Sequence, residues 1–198
     1  MRLPVLLSIV ALLAAGCVQT GGTRRSSDNN AGVSADPSDA EKRASVRLEL
    51  AGGYFSRGQF NTALDEIKLA LAAKPDMGAA YNMRGLVYAA MGEERLAEES
   101  FERAMSLNPR DADAMHNRAW FKCQRGQYDD ADRLFEQAIA TPQYLDLARS
   151  LMAQGICSAR AGRMVPGEQK LLRAYEVDPT NPTTAYNLAD VLYRRGEL

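Results

Sequence analysis

Apolar residues recur every three or four positions from about residue 44 to the end of the chain, which is the spacing of amphipathic helices. Single glycines and prolines interrupt this pattern at regular intervals. Glycine readily ends a helix because it adopts the left-handed conformation, and proline stops a helix because it lacks an N–H group. The glycine breaks are at Gly58, Gly92, Gly126 and Gly162, and the proline breaks are at Pro75, Pro109 and Pro179. The alternation predicts a series of antiparallel helix pairs.

The helix pairs form an internal repeat. Pro75 and Pro109 are 34 residues apart, and Pro179 lies two such periods plus two residues beyond Pro109. Small residues recur on each first helix, where they let the paired helix cross closely: Ala51, Gly85, Ala119, Gly155 and Ala189. Each second helix repeats a small, a bulky and a second small residue: Ala63, Ile67 and Ala70, then Ala97, Phe101 and Ala104, then Ala131, Phe135 and Ala138, then Gly167, Leu171 and Ala174.

This period and these columns resemble the tetratricopeptide repeat, a helix–turn–helix unit of 34 residues. The resemblance implies an all-α fold, a right-handed superhelix of antiparallel helix pairs over residues 44–198. We expect full repeats at 44–77, 78–111, 112–147 and 148–181, with the two-residue insertion at 141–146. A fifth repeat begins at Pro182 and stops at Leu198, where its second helix should start. Because solenoids usually end in a polar capping helix, the array looks shortened.

The N-terminal segment predicts export and a lipid anchor. Residues 1–16 read as a signal peptide, with Arg2 followed by an apolar run too short to span a bilayer. Residues 13–17 (LAAGC) resemble a bacterial lipobox, which makes Cys17 the lipid acceptor; the alternative is an ordinary signal with a chance cysteine. Val18 follows where the resemblance associates Asp with inner-membrane retention, so the outer membrane is implied. Residues 17–43 are expected to be a flexible lipidated tether, because they lack an apolar period.

Charge and composition argue against nucleic acid and against an enzyme. The net charge of −1 is unsuited to neutralising phosphates. His116 is the only histidine, and neither a zinc site nor a nucleophile with an orienting acid is present around it in the sequence. No phosphate-cradling loop occurs. We therefore expect no cofactor, no metal, no small-molecule substrate and no catalytic residues, and a protein that binds another protein.

Four stretches resemble the PilF/PilW family of type IV pilus biogenesis lipoproteins: residues 47–51 (RLELA) with 61–67 (NTALDEI), 120–126 (WFKCQRG), 154–162 (QGICSARAG), and Pro142 with Tyr144. The family's members are outer-membrane lipoproteins of the pilotin kind. The resemblance implies that the protein binds the pilus secretin and promotes its outer-membrane localisation and assembly. It also implies six repeats, of which about one and a half are missing here.

Cys123 and Cys157 lie near the same level of adjacent first helices. Neighbouring helices pack at a distance that lets facing cysteines meet, and export brings the chain into an oxidising compartment. We predict a disulfide between Cys123 and Cys157 that connects the third and fourth repeats. The alternative is a pair of buried free thiols.

The concave face of such an array is its usual ligand groove, lined by first-helix residues three or four positions apart. The predicted lining is Leu48, Phe55, Asn82, Leu86, His116, Trp120, Met152, Ile156 and Tyr186. Leu86, Trp120 and Ile156 would form an apolar strip for an extended segment or a helix of the partner. Trp120 is the favoured anchor, unless it simply packs against Cys123 or the neighbouring repeat.

Two other functions compatible with the sequence remain open. The first is a different tetratricopeptide lipoprotein that acts as an adaptor for β-barrel assembly or regulates peptidoglycan synthesis. The second is an envelope enzyme whose catalytic part lies outside the present sequence.

Overall fold

The computed structural model describes residues 37–197, which contain nine α-helices and no strand. In chain order the helices are α1 Pro37–Ser56, α2 Phe60–Ala73, α3 Gly78–Met91, α4 Glu94–Leu107, α5 Ala112–Gln124, α6 Tyr128–Ile139, α7 Leu147–Arg160, α8 Met164–Val177 and α9 Pro182–Arg195. The predicted all-α fold is confirmed, and the helices fall within one or two residues of the expected repeat boundaries from residue 78 onward.

The helices pack as four hairpins followed by the single helix α9. In each hairpin the odd-numbered helix packs along the even-numbered helix that follows it, and the even-numbered helix then contacts the next odd-numbered helix. The odd-numbered helices also approach one another closely, from α1 through α9, whereas the backbones of the even-numbered helices of neighbouring hairpins stay farther apart within the described region. Long side chains still bridge this second layer, as in the ion pair between Lys170 of α8 and Glu136 of α6. Since one layer is closely spaced and the other is spread, the array has a concave side formed by α1, α3, α5, α7 and α9.

The repeated columns of small and bulky residues form the core. Ile67, Phe101, Phe135 and Leu171 are fully buried, as are the alanines that follow them three positions later. At Gly85, an added Cβ would lie 2.6 Å from the ring of Phe101, and at Gly155 it would lie 2.7 Å from Leu171. The bulky side chain of each second helix therefore occupies the space that the small residue of the first helix leaves open.

Left-handed turns separate the two helices of each hairpin. Gly58, Gly92, Gly126 and Gly162 have φ between 71° and 77°, so the expectation that these glycines end the first helices is confirmed. The connection between the third and fourth hairpins is different, because it contains the inserted residues. There Gln143 has φ of 60°, although it is not a glycine.

The first helix starts earlier than expected. α1 begins at Pro37, so residues 37–43, which we assigned to the tether, are helical. Proline is favoured at the start of a helix, and Asp39 lies in the first turn, where a carboxylate interacts well with the helix dipole. The extra turns also make tertiary contacts: Ala44 is fully buried, and Glu41 accepts a 2.6 Å hydrogen bond from Lys74 at the end of α2.

The signal peptide, Cys17 and most of the tether lie outside the described residues. None of the helices from α1 to α9 combines the length and the apolar character needed to cross a membrane.

Candidate protein-binding site

The concave face carries a row of half-buried apolar residues, one set for each junction between repeats. Leu86 of α3 packs beside Phe101 and Phe121, and Trp120 of α5 packs beside the two cysteines. Met152 and Ile156 of α7 pack beside Leu171 and Val191. These side chains belong to three separate buried clusters, and part of each remains accessible.

Trp120 is held from two directions. It packs against the cluster that contains Cys123 and Cys157, and the guanidinium carbon of Arg160 lies 5.2 Å from the centre of its ring. A cation over an indole face is an attractive contact. Trp120 therefore packs against both its own repeat and the neighbouring repeat. The part of its surface that stays accessible is available to a partner.

His116 does not line the groove, contrary to our expectation. Its side chain is only 7% exposed, and its ring lies edge-on to Phe135 with the ring centres 5.6 Å apart. Nδ1 is 2.8 Å from the hydroxyl of Ser150, which in turn is 3.0 Å from the hydroxyl of Tyr144. Burial, assisted by the charge of Arg149, lowers the pKa of His116 to about 3. His116 is thus a neutral core residue that joins the third and fourth repeats.

The other predicted lining residues occupy varied surroundings. Leu48 and Phe55 are half-buried against the core of the first hairpin, where Phe55 lies 5.9 Å from Phe60. The side-chain oxygen of Asn82 accepts a 3.2 Å hydrogen bond from Asn117 of the next repeat. Tyr186 on α9 is 73% exposed. All the predicted lining residues except His116 therefore keep accessible surface.

Cys123 and Cys157 meet as the spacing predicts. Their Cα atoms are 5.8 Å apart, inside the range that a disulfide requires, and their sulfur atoms face each other between α5 and α7. Both side chains are almost completely buried. Their oxidation to a disulfide remains a prediction.

Two residues beside the groove were not singled out from the sequence. Asn117 forms the bond to Asn82, and Arg160 covers Trp120. Arg160 could have been found from its position four residues after Ile156 on the same helix, because residues four apart share a helix face. Asn117 gave no comparable signal, because its column differs from one repeat to the next.

Ion pairs connect neighbouring repeats away from the concave face. Glu98 of α4 pairs with Arg118 and, at 3.1 Å, with Lys122, both on α5. Burial alone would raise the pKa of Glu98, but the hydrogen bonds from Arg118 and Lys122 outweigh it and the pKa lies below its usual value. Arg118 thus contributes to the packing between the second and third repeats.

No group of three or more His, Cys, Asp or Glu side chains is arranged to hold a metal ion in the part of the chain that the structure describes. The concave face instead combines apolar surface, one cation over an indole ring and a pair of side-chain amides. This arrangement suits the binding of a peptide segment or a helix.

Three family models described as tetratricopeptide repeats match residues 78–111, 100–133 and 123–182, which together span just over half of the chain. They cover the second, third and fourth hairpins.

Several of the similar proteins belong to type IV pilus systems. The chain is 24% identical over 192 residues to a protein of Pseudomonas aeruginosa called type IV pilus assembly protein PilF; the match covers 97% of this chain and 73% of the relative. A solved structure of P. aeruginosa PilF superposes with a TM-score of 0.76 at 22% identity, covering 80% of this chain and 71% of that one. The structure of PilW, described as a widely conserved type IV pilus biogenesis factor, superposes with a TM-score of 0.73 at 28% identity, covering 78% and 70%. The chain belongs to the tetratricopeptide repeat family and is a protein of the PilF/PilW type.

Proposed function

We propose that this protein is an outer-membrane lipoprotein of type IV pilus biogenesis that binds the pilus secretin through its concave face. The observation that carries the proposal is the match to PilF, because it extends over nearly the whole chain rather than over the repeats alone. The lipobox-like residues 13–17 support a lipid anchor at Cys17 on the periplasmic side of the outer membrane. The protein would act as a scaffold and not as an enzyme.

The concave face supplies the contact surface in this proposal. Leu86, Trp120 and Ile156 each leave apolar surface accessible at successive repeats. A segment lying across them would bury apolar area at three points, and aromatic side chains in such positions contribute strongly to binding. The anchor would keep this surface at the membrane where the secretin assembles.

The contact is tested by recovering the secretin from envelope extract with the tagged protein. Trp120→Ala is expected to reduce recovery at least tenfold, since a central aromatic anchor is worth on the order of 2 kcal/mol. Tyr175→Ala is the matched control, because Tyr175 is a partly exposed aromatic on α8, which is a second helix and not one of the first helices that form the groove. Ile156→Thr provides a smaller change on the same face.

Unfolding midpoints decide how a loss is interpreted. If Trp120→Ala and Ile156→Thr both keep the wild-type midpoint and still recover the secretin normally, the concave face is not the binding surface. If even the wild-type protein fails to recover a secretin, the proposed pilus function is wrong. The better hypothesis is then an adaptor for β-barrel assembly or peptidoglycan synthesis. Metabolic labelling with a fatty acid, lost in Cys17→Ala, tests the anchor separately.

A further inference from the structure

The outward side of α1 is a distinct surface, which we call the α1 end face. It consists of Lys42, Arg43, Val46, Arg47 and Leu50, which line an open hollow of about 430 Å³. The side chains of Val46 and Leu50 are 55% and 43% exposed. Two aliphatic residues are therefore surrounded by three cations on the first helix of the array.

The later repeats show what this side of a first helix normally does. The counterparts of Val46 are fully or almost fully buried in every later repeat: Ala80, Ala114, Ser150 and Thr184. Ala80 belongs to the buried cluster of the preceding hairpin, and Ser150 is hydrogen-bonded to His116 of the preceding repeat. The same position on α1 has no preceding repeat in the described region, so it stays open.

The residue types on the α1 end face do not suit the packing of another repeat. The later repeats place uncharged residues no larger than threonine at this column, and none of those residues is preceded by two consecutive cations as Val46 is by Lys42 and Arg43. Long cationic side chains beside aliphatic ones are instead typical of a helix that lies at a lipid surface, because the stems cover apolar area and the charges reach the headgroups.

The lining of the hollow carries three cations and no carboxylate. The guanidinium of Arg47 forms an ion pair with the carboxylate of Glu66 on α2 at 2.9 Å, and the ammonium of Lys42 lies 4.0 Å from the carboxylate of Asp39. The carboxylate of Glu41 forms a separate ion pair with Lys74 at 2.6 Å. Arg43 has no ion-pair partner among the described residues, and Glu49 of the same helix is not among the residues that line the hollow. Anionic headgroups would complement this arrangement.

We propose that the α1 end face binds an anionic phospholipid surface, so that the array lies with its first repeat against the membrane. The proposal adds an orientation to the lipid anchor of the proposed function and rests on it for the location. Nineteen residues lie between Cys17 and Pro37, so the chain from one to the other reaches roughly 70 Å at most when fully extended. The first helix is thus the described element that an anchor at Cys17 keeps nearest to the bilayer along the chain.

The test uses the chain from residue 17 onward with Cys17→Ser, so that no acyl chain contributes. Its sedimentation with vesicles of phosphatidylethanolamine and phosphatidylglycerol is compared with that on phosphatidylcholine vesicles. Binding to the anionic vesicles is expected to weaken with added salt. Lys42→Gln with Arg43→Gln is expected to weaken it about twenty-five-fold, since each cation near such a surface contributes about fivefold. Lys68→Gln with Arg173→Gln, two exposed cations on α2 and α8, is the matched control and should change little.

Several results would overturn the proposal. Equal binding to both vesicle types, no binding to either, or an equal loss in the Lys68 and Arg173 control would each do so. If the Lys42 and Arg43 variant bound vesicles normally but recovered less secretin, the face would be a protein site and not a lipid site. An unacylated Cys17 in cells would refute the anchor of the proposed function, while vesicle binding measured without acylation would still support the α1 end face.

Discussion

The junction between the third and fourth repeats and the terminal helix α9 carry the same column of small residues in opposite surroundings. Ala119 of α5 and Gly155 of α7 are buried beneath Phe135 and Leu171, the bulky residues of the helices that follow them. Ala189 occupies the same column of α9 and is exposed, as is Tyr193 one turn later. No helix follows α9 in the described residues to cover this side.

The side of α9 that faces the preceding hairpin is packed as in the other repeats. Val191 and Thr184 face the preceding hairpin and are buried. A first helix is therefore stabilised separately by the helix before it and by the helix after it, as expected for an array in which each unit contacts only its neighbours. The junction has both contributions, together with the Cys123–Cys157 pair and the His116–Ser150 contact, whereas α9 has one.

The largest expected contrast is between Phe135→Ala at the junction and Tyr193→Ala on α9. Removing the fully buried Phe135 ring should lower the free energy of unfolding by about 3–5 kcal/mol. Tyr193 is 73% exposed, and its removal should change stability by less than about 0.5 kcal/mol. Urea unfolding followed by far-UV circular dichroism measures both. Similar losses in the two variants would show that α9 is covered in solution.

Reduction of the cysteine pair should have the second-largest effect on the stability of the junction. A disulfide closing a 34-residue separation restricts the unfolded chain by up to about 3–4 kcal/mol. In the Cys17→Ser chain, we expect a lower unfolding midpoint after treatment with dithiothreitol, and no labelling when the denatured protein is alkylated without reductant. Labelling of both Cys123 and Cys157 under those conditions would mean that the pair is a pair of thiols.

The junction should also weaken in mild acid through His116. Because the folded state keeps His116 neutral, with a pKa of about 3, while the unfolded chain takes up a proton near its ordinary pKa, stability falls as the pH drops below that ordinary value. Between about pH 7.5 and pH 5 the expected loss is about 2 kcal/mol. In His116→Gln this loss should disappear, since the chain has no other histidine. An equal loss in both proteins would show that His116 titrates normally.

The smallest expected difference in stability is between substitutions at two positions of the small-residue column, Gly155 and Ala189. In Gly155→Ala the new Cβ would lie 2.7 Å from Leu171 and 2.9 Å from the carbonyl oxygen of Gly167, and the backbone atom cannot easily move away. The overpacking cost exceeds the gain in helix propensity, so a net loss of about 1–2 kcal/mol is expected. Ala189→Leu should be close to neutral in the same unfolding assay. A stabilised Gly155→Ala would indicate that α7 and α8 can separate without cost.

The periodic part of the fold could be read from the sequence because its signals are local. The glycine turns, the small and bulky columns and the 34-residue period each depend on residues within one or two turns of helix or within one hairpin. The pairing of Cys123 with Cys157 followed from the same period, which places equivalent residues of adjacent repeats side by side. The start of α1 at Pro37 was missed, because residues 37–43 lack an apolar period and their contact between Glu41 and Lys74 joins residues 33 positions apart.

The sequence by itself determined that this chain forms stacked helix pairs, because a repeated pattern of residue sizes permits only one kind of packing between successive helices. Tertiary structure alone decided which equivalent positions are buried. His116 and Tyr186 share a column, yet Ser150 and Phe135 enclose the first and nothing described covers the second. Burial depends on which neighbour stands beside a residue in space, and in an array that neighbour changes from the middle to the end while the local pattern stays the same.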